Sequence, residues 1–209
     1  MKNVPFFANT ADNTHCVQAS FKIMLKYFLP KRDFSWEELD KLSHKTAGKG
    51  TWWFPMLLEI EKMGLKTKYI EHFDYQRYLK EGNAYVLAIY GPEAGKWYLE
   101  KSNLTEVKGL IPEFLKQSVG QRRAAELSDI DDLLAKGWLV GIDLNSRTLN
   151  KRPGFSSHMI VIYEKAGQNY LFHDPGLPPK PRRKVPPGLL LKAWQYAGSE
   201  NVALIAVGR

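Results

Sequence analysis

Four β-rich runs follow one another in the last third of the chain, and they constrain the fold more than any other feature. The runs are WLVGIDL (138–144), SHMIVIY (157–163), NYLFHD (169–174) and NVALIAVG (201–208), each bounded by turn residues. The short connection EKAGQN joins the second run to the third, which indicates a hairpin with antiparallel pairing. The preceding half of the chain is typical of helices. Because helices and strands are segregated along the sequence, we expect an α+β fold rather than a doubly wound parallel sheet.

The longest helix signal begins at Cys16. Apolar residues recur with helical spacing from Val17 to Phe28, and Pro30 marks the expected end. Polar residues that can cap this helix are Asp12, Asn13 and Thr14. The sequence therefore predicts that the only cysteine of the chain lies in the first turn of a long amphipathic helix.

Shorter helices are predicted elsewhere. SWEEL is a capping box at Ser35, the segment from Pro55 to Gly64 has the expected first and last residues, and SDIDDLLAKG reads as a helix capped by Ser128. LKTKYIE alternates like a strand. Between residues 74 and 117, DYQRYLKEG and PEFLKQS indicate helices, whereas AYVLAIY fits either a strand or a buried helix.

Length and composition narrow the class of protein. The 209 residues suit a single domain over 1–209, and one cysteine excludes an internal disulfide. No apolar run is long enough to cross a membrane or to serve as a secretory signal, so we expect a cytoplasmic protein without membrane association. The net charge of +8 is scattered, and no nucleic-acid-binding motif accompanies it, so no specific nucleic-acid partner is expected.

Three residues on different elements form a candidate catalytic group. A cysteine at a helix N-terminus can be activated as a nucleophile, although many lone cysteines only fill a core. His158 opens one predicted strand and Asp174 closes the next, so antiparallel pairing would bring them to the same sheet edge. A carboxylate there would orient the imidazole. Cys16, His158 and Asp174 thus fit the nucleophile, base and orienting acid of covalent catalysis.

Several of these segments together resemble the double-glycine-leader (bacteriocin-processing) cysteine peptidases and their stand-alone relatives, within the papain-like superfamily. The segments are VPFF at 4–7, the helix that Cys16 opens, SDIDDLLAKGWLVGIDL, SHMIVIY and LFHDPG. They cover most of the chain in order, with residues 65–125 left without an assigned counterpart. The resemblance implies a papain-like fold, with the helical N-terminal half packed on an antiparallel sheet from the C-terminal half.

The resemblance also implies roles for individual residues. Cys16 would be the nucleophile, His158 the general base and acid, and Asp174 the residue that orients the imidazole. The family usually has a glutamine before the cysteine as oxyanion donor, and this slot falls on Asn9, whose amide can also donate. Val17 stands where the family usually has glycine.

We therefore expect a cysteine-dependent hydrolase or peptidase that cleaves an amide or related acyl bond, with a peptide or other acyl compound as substrate. Two alternatives stay open. The first is an acyltransferase that uses the same triad, and the second is a papain-like binding module without activity, which Asn9 and Val17 favour. No cofactor is expected, and His15 and His173 lack the spacing of a metal site.

Two further segments each allow two interpretations, one of which places them at the cleft. The aromatic pair Trp52 and Trp53 is either part of the core or a wall of the substrate cleft. The proline-rich segment 174–188 is predicted to be a semi-rigid loop near the active site. Its basic residues Lys180, Arg182, Arg183 and Lys184 either border the cleft or are solvated.

Overall fold

The computed structural model describes residues 3–117 and 120–209. The strands are β1 (Lys66–Glu71), β2 (Gly120–Arg122), β3 (Leu139–Asn145), β4 (Ser157–Ala166), β5 (Asn169–Asp174), β6 (Lys180–Val185) and β7 (Leu204–Gly208). The helices are α1 (Cys16–Phe28), α2 (Trp36–Leu42), α3 (Phe54–Lys62), α4 (Tyr75–Glu81), α5 (Asn83–Lys101), α6 (Ile111–Gln117), α7 (Leu127–Ala135), α8 (Ser146–Leu149) and α9 (Pro187–Trp194). In the described ranges the strands form one sheet in the order β2-β1-β7-β3-β4-β5-β6.

The four β-rich runs of the sequence form the centre of this sheet. β3 pairs with β4 and β7, and β4 pairs with β5, all in antiparallel fashion. β1, from the helical half of the chain, adds to β7 antiparallel, and the edge strand β2 pairs with β1 in parallel. The predicted α+β class with an antiparallel sheet is therefore confirmed, with a strand from the N-terminal half added to one side.

Helices cover both faces of the sheet because the strands alternate their apolar side chains. On β3, Val140, Ile142 and Leu144 pack in the cluster that includes α7 and α9. Leu139 faces the opposite cluster, which includes α1 and α3. The sheet is thus the middle of three layers, and α1 packs against one of its two faces.

The central helix α1 is buried on most of its surface. Phe21, Ile23 and Met24 are completely inaccessible to solvent, and Ser20 Oγ donates to the Met159 carbonyl of β4 at 3.3 Å. Truncation of Phe21 to alanine would cost about 3–5 kcal/mol of stability, as for other buried aromatic side chains. This packing fixes the first turn of α1, and with it Cys16, against the sheet.

Three local predictions were wrong. The proline-rich segment was predicted to be a loop, but residues 180–185 form strand β6, whose pairing with β5 includes Tyr170 opposite Val185. Its place at the sheet edge explains why Pro181 is tolerated there. The α1 N-cap is His15 without a side-chain cap bond, and the α7 N-cap is Glu126, in a capping box with Asp129, rather than Ser128.

The ambiguous run AYVLAIY lies in helix α5. The helix is interrupted at Gly91, whose φ of 74° is in the left-handed region and directly precedes Pro92. The length of the segment distinguishes a helix from a strand here, because the apolar run continues into a long helical segment instead of ending after the length of a strand. Across the described ranges, the helices are all too short or too polar to cross a membrane.

Candidate active site

Cys16 is the first residue of α1, and its side chain is half-buried. The first intrahelical hydrogen bond runs from the Ala19 N–H to the His15 carbonyl, so the Cys16 N–H precedes the hydrogen-bond ladder of the helix. Such free N–H groups, together with the helix dipole, stabilise negative charge at this end. The Cys16 side chain lines the same cavity as His158 and interacts with its imidazole closely enough to raise the pKa of the ring.

His158 and Asp174 lie at the same end of the β4–β5 hairpin. His158 is the second residue of β4, and Asp174 is the last residue of β5. His158 Nε2 is 2.7 Å from Asp174 Oδ1, and both side chains are buried. The proximity follows from antiparallel pairing, as the sequence predicted. Because Nε2 is engaged by the carboxylate, Nδ1 is the ring nitrogen that remains for Cys16.

Asp174 is held from three directions. Its Oδ1 also accepts from the Gly176 N–H at 3.1 Å, and its Oδ2 accepts from Arg183 Nη1 at 2.8 Å. Burial by itself would raise the pKa of Asp174, but the hydrogen bonds and charges of His158 and Arg183 outweigh it and lower the pKa to about 2. The carboxylate is therefore ionised throughout the neutral range.

The same contacts keep His158 charged. Burial by itself would lower the pKa of the imidazole, but the hydrogen bonds with Asp174 and Cys16 outweigh it and raise the pKa to about 10. An imidazolium beside a sulfur atom stabilises negative charge on that sulfur. The arrangement can therefore activate a thiol and supply a proton at neutral pH.

Asn9 lies beneath the first turn of α1. Its Oδ1 accepts from the backbone N–H groups of His15 at 2.8 Å and Thr10 at 2.9 Å, and its own N–H donates to the Pro175 carbonyl at 2.7 Å. Its Nδ2 donates to Asn13 Oδ1 at 2.9 Å and carries a second hydrogen. Its role as an oxyanion donor stays a prediction, whereas its contacts also fasten the loop before α1.

Asn13 lines the cleft beside Cys16, and sequence reasoning considered it only as a cap. It has a φ of 57°, a left-handed conformation that asparagine tolerates better than most residues. Because Asn9 holds Asn13 Oδ1, the amide nitrogen of Asn13 is directed away from Asn9. Asn13 is thus a second side-chain amide close to the nucleophile.

A cavity of about 510 Å³ opens beside the Cys16–His158 pair. Trp52 and Trp53 both line it, and both also pack in the core: Trp52 against Tyr98 at 5.1 Å and Trp53 against Phe114 at 5.9 Å between ring centroids. Both side chains therefore belong to the core and to the cavity wall, and a role in substrate binding stays a prediction. Three basic residues also line the cavity: Lys101 and Arg152 are exposed at its mouth, and Lys180 is half-buried, with its Nζ donating to Asn150 Oδ1 at 2.8 Å.

The inner part of the cavity is aromatic and acidic. It is lined by Glu71, Tyr90, Tyr98, Asp143 and Tyr196. Sequence reasoning missed these residues, because they come from β1, α5, β3 and the segment after α9. One signal was present: in the alternating run LKTKYIE, Glu71 shares a strand face with Tyr69 and with the buried Thr67.

Three further residues that the sequence singled out lie near the site: Arg183, His173 and His15. Arg183 contacts Asp174, so one basic residue of segment 174–188 belongs to the site through the carboxylate. His173 faces away, with Nε2 3.1 Å from the Val4 carbonyl. His15 lies between Thr10 Oγ1 at 2.7 Å and the Asp40 carboxylate at 3.2 Å. Both histidines are structural in their contacts.

Known proteins resemble this chain in fold but not in sequence. No protein-family model matches the sequence, and no curated protein matches it significantly. Among solved structures, the peptidase domain of Streptococcus ComA, a bifunctional ABC transporter of a quorum-sensing pathway, is similar with a TM-score of 0.53 at 11% identity, over 99% of this chain and 98% of that one. A Bacillus anthracis protein described as a C39-like peptidase has a TM-score of 0.52 at 15% identity, over 99% and 96% of the two chains.

The fold is therefore that of the ComA peptidase domain and the C39-like peptidase. This agrees with the resemblance to double-glycine-leader peptidases that the sequence motifs carry. At these identities the likeness defines the fold, and the chemistry has to be argued from the residues of this chain.

Proposed function

We propose that this protein is a cysteine peptidase or related acyl hydrolase, in which Cys16 is the nucleophile, His158 the acid and base, and Asp174 the positioning residue. The single observation that carries the proposal is that Cys16, His158 and Asp174 line one cavity, with His158 Nε2 2.7 Å from Asp174 Oδ1 and Cys16 near enough to the imidazole to raise its pKa. A fold shared with peptidase domains adds support.

The reaction follows from the positions of these groups. The Cys16 sulfur attacks the carbonyl carbon of an amide, and the carbonyl oxygen becomes an oxyanion beside the free Cys16 N–H. As the tetrahedral intermediate collapses, the carbon–nitrogen bond breaks and His158 donates its Nδ1 proton to the leaving amine. Water then attacks the thioester, His158 accepts a proton from it, and Cys16 leaves as the carboxylic acid forms.

Asp174 does not exchange protons in this scheme. Its pKa of about 2 keeps it ionised, so it stabilises the imidazolium and holds the ring with Nδ1 toward the sulfur. The second oxyanion donor is a side-chain amide of Asn9, as predicted from the sequence, with Asn13 as its neighbour. Trp52 and Trp53 form part of the wall against which a peptide or other acyl substrate would pack.

The binding-module alternative makes a different prediction about the thiol. A module that only binds has no need of an activated cysteine, whereas a nucleophile beside an imidazolium reacts below neutral pH. We expect iodoacetamide to alkylate Cys16 at pH 6 at nearly its rate at pH 8. Because the chain has one cysteine, the labelling is unambiguous.

The matched variants are His158→Ala and His72→Ala. His72 is exposed and does not line the cavity, so its removal should leave the alkylation profile unchanged. His158→Ala should shift the profile toward that of a free thiol, and Cys16→Ser should abolish hydrolysis of peptide substrates. Equal profiles for the wild type, His158→Ala and a small thiol would contradict the proposal and support the binding module.

A further inference from the structure

The inner cavity contains a carboxyl group without a basic partner. Glu71 is only 2% exposed, it lines the cavity, and its Oε1 makes no hydrogen bond to any residue of 3–117 or 120–209. Tyr75 is a polar neighbour of Glu71 and favours its ionised form, but less strongly than burial opposes it. A buried carboxyl group with an open oxygen is costly unless a donor or cation reaches it. Glu71 therefore offers an unused acceptor to whatever occupies the cavity.

A second carboxylate faces the same space. Asp143 accepts from Ser157 Oγ at 2.6 Å, from Tyr196 Oη at 3.0 Å, and from Tyr98 Oη. All three donors are neutral hydroxyl groups. In the part of the chain that the structure describes, neither Glu71 nor Asp143 has a lysine, arginine or histidine within salt-bridge distance. Both groups thus offer carboxyl oxygens to the inner cavity, with no basic side chain of the described residues beside them.

The walls between these carboxyl groups are aromatic. Tyr98 packs against Trp52 at 5.1 Å and against Tyr90 at 4.8 Å between ring centroids, and all three side chains line the cavity. Aromatic faces attract organic cations, most strongly where water is excluded. A hard metal ion would instead need six or more oxygen ligands, which rings cannot supply.

We propose that the inner cavity is a subsite for an organic ammonium group of the substrate, which Glu71 binds between the rings of Trp52 and Tyr90. The proposal rests on the proposed function, because the subsite and the Cys16–His158 pair share one cavity. The exposed basic residues at the mouth are in water and screened, whereas the carboxyl groups inside are not. The substrate class is thus an amide or ester that carries a primary amine on the side that enters the cavity.

The ionisation of Glu71 gives the subsite a distinctive signature. Burial raises the pKa of Glu71 to about 8, so the group is mostly protonated at pH 7. The groups coupled to it are Tyr69, Tyr75, Tyr85 and Tyr90, whose pKa values are all raised, so these tyrosines stay neutral at pH 7. An ammonium ion that pairs with the carboxylate must therefore release close to one proton as it binds.

The test is calorimetric titration of the full chain with n-butylammonium chloride and with 1-butanol, its neutral analogue. We expect butylammonium to bind at least about tenfold more tightly, because an ion pair and cation–π contacts act only on the cation. Titration at pH 7 in buffers of different ionisation enthalpy should show release of nearly one proton per butylammonium and none for butanol. Equal affinity, or no proton release, would overturn the proposal.

Variants then assign the effect to Glu71. Glu71→Gln keeps the shape of the side chain and should lose at least about tenfold in butylammonium affinity together with the proton release. Asp132→Asn, an exposed carboxylate on α7 outside the cavity, is the matched charge control and should bind like the wild type. If Glu71→Gln does not fold, Tyr90→Leu should weaken butylammonium more than butanol. Unchanged binding in these variants, or equal competition by potassium chloride, would contradict an organic ammonium subsite.

The outcome is separable from the proposed function. Alkylation of wild-type Cys16 across pH is measured on the same preparation. If butylammonium binds selectively but Cys16 is alkylated like a free thiol, the ammonium subsite is supported and the proposed cysteine chemistry is contradicted. If Cys16 is activated but butylammonium does not bind selectively, the cysteine chemistry is supported and the ammonium subsite is contradicted.

Discussion

Arg183 donates from Nη1 to Asp174 Oδ2 at 2.8 Å, while the other oxygen of the same carboxylate faces His158. The guanidinium is fixed in turn, because its Nη2 donates to the Leu149 carbonyl at 2.8 Å. The orientation of the imidazole therefore depends on an arginine from β6. Arg183 is a positioning residue, since it acts through Asp174.

Replacement of Arg183 by methionine should lower kcat by about tenfold to a hundredfold and leave KM nearly unchanged, as for other residues that orient a site through a neighbour. The Cys16 alkylation profile should move toward higher pH, but less than in His158→Ala. Lys184→Met removes the same charge from an exposed position on the same strand and is the control. Equal effects of both variants would mean that only the net charge matters.

Gly176 is close to the hydrogen bond between His158 and Asp174. A Cβ atom at this position would lie 3.1 Å from Asp174 Oδ1 and 3.1 Å from His158 Nε2, closer than these atoms normally tolerate. Gly176→Ala should therefore displace the pair by a few tenths of an ångström and reduce kcat by about tenfold. Gly188→Ala, where a Cβ meets no atom within 4 Å, should leave kcat unchanged. Full activity in Gly176→Ala would show that the pair tolerates displacement.

Asn9→Ala tests the oxyanion role. It should reduce kcat by about tenfold to a thousandfold, whereas alkylation by iodoacetamide, which forms no oxyanion, should change little. Asn13→Ala should have the smaller effect, because it removes only the acceptor of the Asn9 amide. If Asn13→Ala has the larger effect on kcat, the donor is Asn13, and Asn9 only positions it. Thermal unfolding of both variants controls for loss of the loop contacts.

Glu71 should make the stability of the protein depend on pH. Its pKa is raised from 4.5 to about 8 in the folded state, so its stabilising contribution is complete below pH 4.5 and is lost as the pH rises through about 8. Between these two pH values the free energy of unfolding should fall by at most about 1.4 kcal/mol per pH unit.

The measurement for Glu71 is the free energy of unfolding in urea at pH 5 to 9. The difference between Glu71→Gln and the wild type should shift in favour of the variant as the pH rises, since glutamine cannot ionise. Asp132→Asn should run parallel to the wild type over the same range. Parallel curves for Glu71→Gln as well would mean that folding does not raise the pKa of Glu71.

Local patterns in the sequence were sufficient for the parts of the fold that depend on neighbouring residues. Alternation and turn residues predicted the four central strands, and helical spacing predicted α1 with Cys16 at its beginning. The closeness of His158 and Asp174 was also predictable, because a hairpin fixes which strand ends meet. Ser35 caps α2 as predicted. The caps of α1 and α7 were not predictable, since several polar residues competed for each position.

Contacts between distant segments were decided only by the tertiary structure. The proline-rich sequence predicted a loop at residues 180–185. The segment is a strand because it pairs with the edge of β5. Arg183 reached Asp174 for the same reason. Likewise Glu71 and Asp143 belong to separate strands, and their common cavity exists because β7 and the aromatic side chains of α5 bring these strands together. Periodicity reports which face of an element is buried, but the partner of that face depends on sheet order, which no local pattern encodes.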